Sequence, residues 1–167
     1  MTIFRAVRAA IFTLSALLCA APVGAQGMMY GHGPGMMHRH GMGMMGGSMA
    51  RHRYVMHNGL DPKYAGMTNP LPATAANVQA GKTLFDQNCA RCHGPAGLGN
   101  GEAGRNLVPR PANLAHVVRM PIARDGYLFW AISEGGAAFN TAMPAWKETL
   151  KDADIWSVIL YLRTLPG

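Results

Sequence analysis

Residues 75–167 predict a small all-α domain, and three observations carry that expectation. Apolar residues recur there at helical spacing, as in Ile155, Val158, Ile159 and Leu162. Helical stretches are separated by Gly- and Pro-rich loops, and no segment shows the period-2 alternation of a half-buried strand. The first stretch runs straight into two cysteines and a histidine, Cys89-Ala-Arg-Cys92-His93.

The first helix is expected over Ala75 to Arg91, with Val78, Gly81, Leu84 and Phe85 on its buried face. A long loop follows from Gly94 to Pro121. The next helix, Asp125 to Glu134 (DGYLFWAISE), ends at Gly135-Gly136, the residue type that closes a helix. The last spans Asp152 to Leu165, with Asp152 and Asp154 in the first turn, where they complement the helix dipole. Lys151 precedes it, so Asp152 is the expected cap.

Upstream the texture differs. Residues 1–25 read as a signal peptide: Arg5 and Arg8, an apolar run from Ala9 to Ala21, and small residues up to Ala25. The run is too short to span a bilayer, and no other long apolar segment follows, so an exported chain without a membrane anchor is expected after cleavage. Cys19 would leave with the signal; Leu18 before it does not suit lipoprotein processing. Residues 26–59 are Met/His/Gly-rich with no apolar period, a flexible segment by composition. Residues 60–74, with Pro62, Pro70 and Pro72, form a linker to the domain at 75–167. The net charge of +7 gathers in the tail, since every acid lies at Asp61 or beyond. Export and the missing basic–aromatic pattern argue against nucleic acid as a partner.

Cysteines at i and i+3 project to one side of a helical turn, with His93 beside them. A disulfide across two residues constrains almost no chain. A redox dithiol expects a βαβ setting, and a zinc site expects a second ligand pair; neither is present. Cys-x-x-Cys-His is the c-type haem attachment pattern, in which both sulfurs form thioethers and the histidine ligates iron. The opposite iron face has Met67, Met120, Met143 and His116 as candidates. Met143-Pro144 follows the middle helix and a Gly-rich turn, which places Met143 to close over the haem. His116 or an open position are the alternatives, and Met120 reads as core.

Gly81 and Phe85, CARCHG at 89–94, Pro-Arg-Pro-Ala-Asn-Leu at 109–114, DGYLFWAISEG, TAMPAW at 141–146 and DADIWSVILYLRTL occur here in that order. In these features residues 75–167 resemble a class I, monohaem c-type cytochrome of the bacterial periplasmic type. The resemblance implies three to four helices and long loops wrapped around one covalent haem c. It also implies first and last helices that cross, with Gly81 and Phe85 against Trp156, Leu160 or Tyr161. A proline carbonyl, that of Pro111, would accept the His93 ring N–H.

Two functions of different class follow. In the first, a periplasmic electron-transfer protein with His93/Met143 ligation shuttles single electrons between redox partners such as a dehydrogenase, reductase or oxidase; it is not an enzyme. In the second, the tail handles copper, because thioethers select Cu(I) and imidazoles take Cu(II). The candidate ligands are His32, Met36, Met37, His38, His40, Met42, Met44 and Met45.

Overall fold

The computed structural model describes residues 46–166. Among them are seven α-helices, two single 3₁₀ turns and no strand. The helices are α1 (Gly46–Asn58), α2 (Pro62–Ala65), α3 (Ala75–Asn88), α4 (Ala90–His93), α5 (Leu114–Val117), α6 (Asp125–Glu134) and α7 (Asp152–Leu162). The all-α expectation holds. Three of the helices are the expected long ones, and α2, α4 and α5 are one-turn pieces within the linker and loops.

The crossing of α3 and α7 is the principal helix packing. Thr74 starts α3 by accepting the Asn77 N–H on its hydroxyl, at 3.2 Å. Gly81 and Phe85, one turn apart, are the buried residues of α3. Gly81 lets the backbones meet: an added Cβ would lie 1.9 Å from the Ser157 carbonyl oxygen. Phe85 is wholly buried and packs on Tyr161, ring centroids 5.2 Å apart. Trp156 packs its ring at a tilt on Phe129 of α6, centroids 4.3 Å apart.

The α7 N-terminus differs from expectation. Lys151 is the N-cap residue, and Asp154 reaches back to accept its N–H at 3.0 Å, so Asp154 and not Asp152 satisfies the first turn. At the other end α7 stops at Leu162. Arg163 donates to the Val118 and Ala123 carbonyls and pairs with Asp125, tying the helix end to the chain ahead of α6.

Two upstream stretches are ordered in ways that composition did not foretell. In the linker, Tyr64 of α2 is 2 % exposed, and its carbonyl sits so close to Gly126 that a Cβ there would approach within 2.0 Å. In the Met/His/Gly-rich segment, residues 46–58 form α1 and pack on α6 through Tyr54, whose ring lies 6.4 Å from Trp130 and 5.5 Å from Phe139. An apolar period is absent from α1 because cationic and aromatic side chains make the contact. Among the described residues no helix is long and apolar enough to cross a membrane.

Candidate cofactor site

Helix α3 ends at Asn88 instead of continuing to Arg91, because Cys89 takes φ −112° and restarts the chain as α4. The restart still leaves Cys89 and Cys92 one turn apart, with the Cys92 N–H bonded to the Cys89 carbonyl at 3.1 Å. Both carry free thiols and both are half-buried. Burial, with a smaller effect of Cys92, pushes the Cys89 thiol up to about 12. A dithiol oxidoreductase needs the reverse, an acidified thiolate. The Cys89 sulfur is thus suited to a neutral role such as a thioether.

His93 follows at the end of α4. Its Nδ1–H donates to the Ala112 carbonyl at 3.0 Å, the only arrangement possible with an acceptor-only carbonyl. The other nitrogen, Nε2, therefore keeps its lone pair. Burial lowers the His93 pKa, outweighing the Ala112 bond that raises it; a weaker lowering comes from the charge of Arg51. The ring is a neutral donor with a fixed tautomer, as a metal ligand requires.

The acceptor is Ala112, which corrects the expectation of Pro111. Successive carbonyls of extended chain face opposite ways, so a one-residue offset changes the partner. Pro111 instead turns its carbonyl toward Gly99, where a Cβ would come within 2.4 Å, and packs its ring over Gly104. The loop that carries Ala112 is folded back by glycines. Gly99 N–H bonds the His93 carbonyl at 2.8 Å, and Gly101 N–H bonds the Cys92 carbonyl at 3.1 Å. Gly94 sits at φ +77°, in the region that disfavours other residues, and starts the reversal.

Met143 is half-buried against the core, in a strap returning along the end of α6. The Gly136 N–H bonds the Met143 carbonyl at 2.9 Å, and the Trp146 N–H bonds the Ile132 and Ser133 carbonyls at 3.2 and 3.1 Å. Gly135, at φ +66°, allows this approach, since a Cβ there would lie 2.5 Å from Ala145 N. Of the rival candidates, His116 is exposed on α5, while Met120 and Met67 are, like Met143, half-buried against the core. The copper candidates His32, Met36, Met37, His38, His40, Met42, Met44 and Met45 lie outside the described residues. Among those described, no group of three or more His, Cys, Asp or Glu is placed to hold a metal ion.

Arg51 is the residue at the site that the sequence did not single out. Its guanidinium lies 5.5 Å from the Trp130 ring centroid and 5.4 Å from that of Phe139, donates to the Gly135 carbonyl, and lowers the His93 pKa through its charge. Its Nε is buried without a partner. The signal available was Arg51 and Tyr54 at i, i+3, a cation and an aromatic on one helical face.

Two free thiols a turn apart and an oriented neutral imidazole beside them fit a covalently held haem. The fold and this site define a c-type cytochrome domain. The chain belongs to the family described as "Cytochrome C oxidase, cbb3-type, subunit III", whose model matches residues 76–162. Among curated proteins it is 33 % identical over 107 residues to the cbb3-type cytochrome c oxidase subunit CcoP of Azospirillum sp. (strain B510), covering 59 % of this chain and 32 % of that protein. It is also 31 % identical over 88 residues to cytochrome c6 of Tetradesmus obliquus, covering 53 % of this chain and 90 % of that one. The chain thus spans about a third of the CcoP relative and nearly the whole cytochrome c6 match. Among solved structures, a chain of the reducing HAO-like protein complex of Kuenenia stuttgartiensis aligns with TM-score 0.52 at 20 % identity, over 68 % of this chain and 55 % of that one. That likeness shows the fold.

Proposed function

We propose that this chain is an exported one-electron carrier holding one haem c through Cys89 and Cys92, with His93 and Met143 as the axial ligands of its iron. The observation that carries the reading is the His93–Ala112 bond, which commits Nδ1 to the protein and leaves Nε2 as the donor. When bound, a haem supplies one-electron exchange between ferrous and ferric iron. The thiols hold the ring, Ala112 orients the imidazole, and the strap bonded at Gly136 fixes the Met143 backbone. Were His93 and Met143 both to hold the iron, no position would be left for a substrate, and outer-sphere electron exchange would be the chemistry supplied. The relatives named as subunits of a cbb3-type oxidase favour an oxidase among the possible redox partners. The composition of residues 1–25 supports export.

The test is the absorption spectrum of the protein made in a host able to attach haem. The reduced wild type is expected to be low-spin and inert to carbon monoxide, and Met143→Ala is expected to bind it readily. Ready binding by the wild type, or an unchanged spectrum in Met143→Ala, would overturn the ligand assignment.

A further inference from the structure

Arg51 is half-buried, and its Nε is shut off from solvent with no partner, which leaves room for an anion. All eight acidic side chains lie at Asp61 or beyond, within the described residues. The ion pairs formed there are Lys82–Asp86, Lys147–Glu134 and Arg163–Asp125, and none includes Arg51. The guanidinium has one carbonyl acceptor at Gly135, faces the Trp130 and Phe139 rings, and keeps a buried Nε with no partner. Aromatic faces offset only part of the desolvation of a cation, and a buried cationic N–H without an acceptor is costly. Burial correspondingly lowers the Arg51 pKa.

The location is specific. Gly135, the acceptor, precedes Gly136, whose N–H holds the Met143 carbonyl. Arg51 is therefore lodged beside the strap that carries Met143, and a haem brings carboxylates of its own. Arginine, always charged and forked, is the side chain suited to such a group.

We propose that Arg51 is the counter-ion of a haem carboxylate, so that α1, from the Met/His-rich segment, closes over the cofactor and raises its reduction potential. The inference rests on the haem reading above. A cation held beside the ring favours the ferrous state, which carries one positive charge fewer than the ferric.

The experiment compares full-length haem-loaded wild type with Arg51→Met, Arg51→Lys and, as control, Arg53→Met; Arg53 is an exposed residue of the same helix. Spectroelectrochemical titration gives the midpoint potential, and redox-difference infrared spectra report the haem carboxylate bands. Arg51→Met is expected to lower the midpoint and shift the carboxylate bands. Arg51→Lys should keep most of the potential while shifting the bands, because it retains the charge and loses the fork. Arg53→Met should change neither. Equal potentials and identical carboxylate bands in Arg51→Met and Arg53→Met would overturn the proposal. Should Arg51→Met fail to accumulate, unshifted carboxylate bands in Arg51→Lys would overturn it equally. A wild type without covalent haem would defeat the underlying reading instead.

Discussion

Replacing Gly81 by alanine sets two effects of opposite sign against each other. In a helix interior alanine is favoured over glycine by about 0.8–1.0 kcal/mol. Here the new Cβ would lie 1.9 Å from the Ser157 carbonyl oxygen, 2.4 Å from its carbon and 3.0 Å from Val158 N. All three are backbone atoms of α7, so no side chain can swing away. Relief to an ordinary contact requires α3 and α7 to part by more than ~1 Å, loosening Phe85, Ile155 and Val158. Overpacking by one methyl costs about 1–3 kcal/mol, and an unyielding neighbour places this site at the upper end. After the helix-propensity gain the net loss is about 2 kcal/mol. For a domain of this size that corresponds to a fall in Tm of roughly 8–16 °C. Thermal unfolding of haem-loaded Gly81→Ala measures it. Gly66→Ala, where an added Cβ meets nothing within 4 Å, is the control and should stay within about 0.5 kcal/mol. An unchanged or higher Tm for Gly81→Ala would refute the argument that backbone contact requires this glycine.

Tyr64→Phe should cost about 1 kcal/mol in denaturant unfolding, because it deletes the hydroxyl that donates to Glu134 while keeping the ring on Phe129. The Glu134 carboxyl is held below the ordinary carboxylate range, first by Lys147 and then by the Tyr64 hydroxyl. A depressed folded pKa gives stability that is present above the unfolded value of ~4.3 and lost as pH falls through the folded one. Comparing acid unfolding of wild type and Glu134→Gln should therefore show a shallower pH dependence in the variant below ~4.3. Exposure limits the effect to less than ~1 kcal/mol. Gly94→Ala combines φ +77° with a Cβ 2.1 Å from Asn100 Oδ1, so the turn after His93 should be displaced. A reduced yield of haem-bearing protein and a lower Tm are expected, both read from one purified sample.

What the sequence disclosed and what it hid divide along physical lines. Helix α6 was legible to the residue, because a glycine that reverses the chain also ends the apolar run. Helix α7 was legible in its stripe but not in its cap, since Asp152 and Asp154 are chemically equivalent and only the turn geometry selects Asp154. Ala112 was missed for Pro111 because the direction of a carbonyl belongs to backbone torsions and leaves no mark on residue type. Helix α1 was invisible to hydrophobic periodicity because Arg51 and Tyr54 dock it through a ring-lined, charged contact. The chemistry itself, two thiols and an imidazole in fixed spacing, is short-range and was therefore readable.

The contact between Gly81 and Ser157 joins the first long helix of the domain to the last. Helix α3 lies far ahead of α7 in the chain, so Phe85 has no Tyr161 to cover it until the two helices have docked. Closing a loop of that length also makes the pairing slow relative to local helix formation. Cys89 and Cys92 consequently pass through an interval in which they stand on an unlatched chain. Both thiols are open to chemistry during that interval, and the docking of α7 ends it.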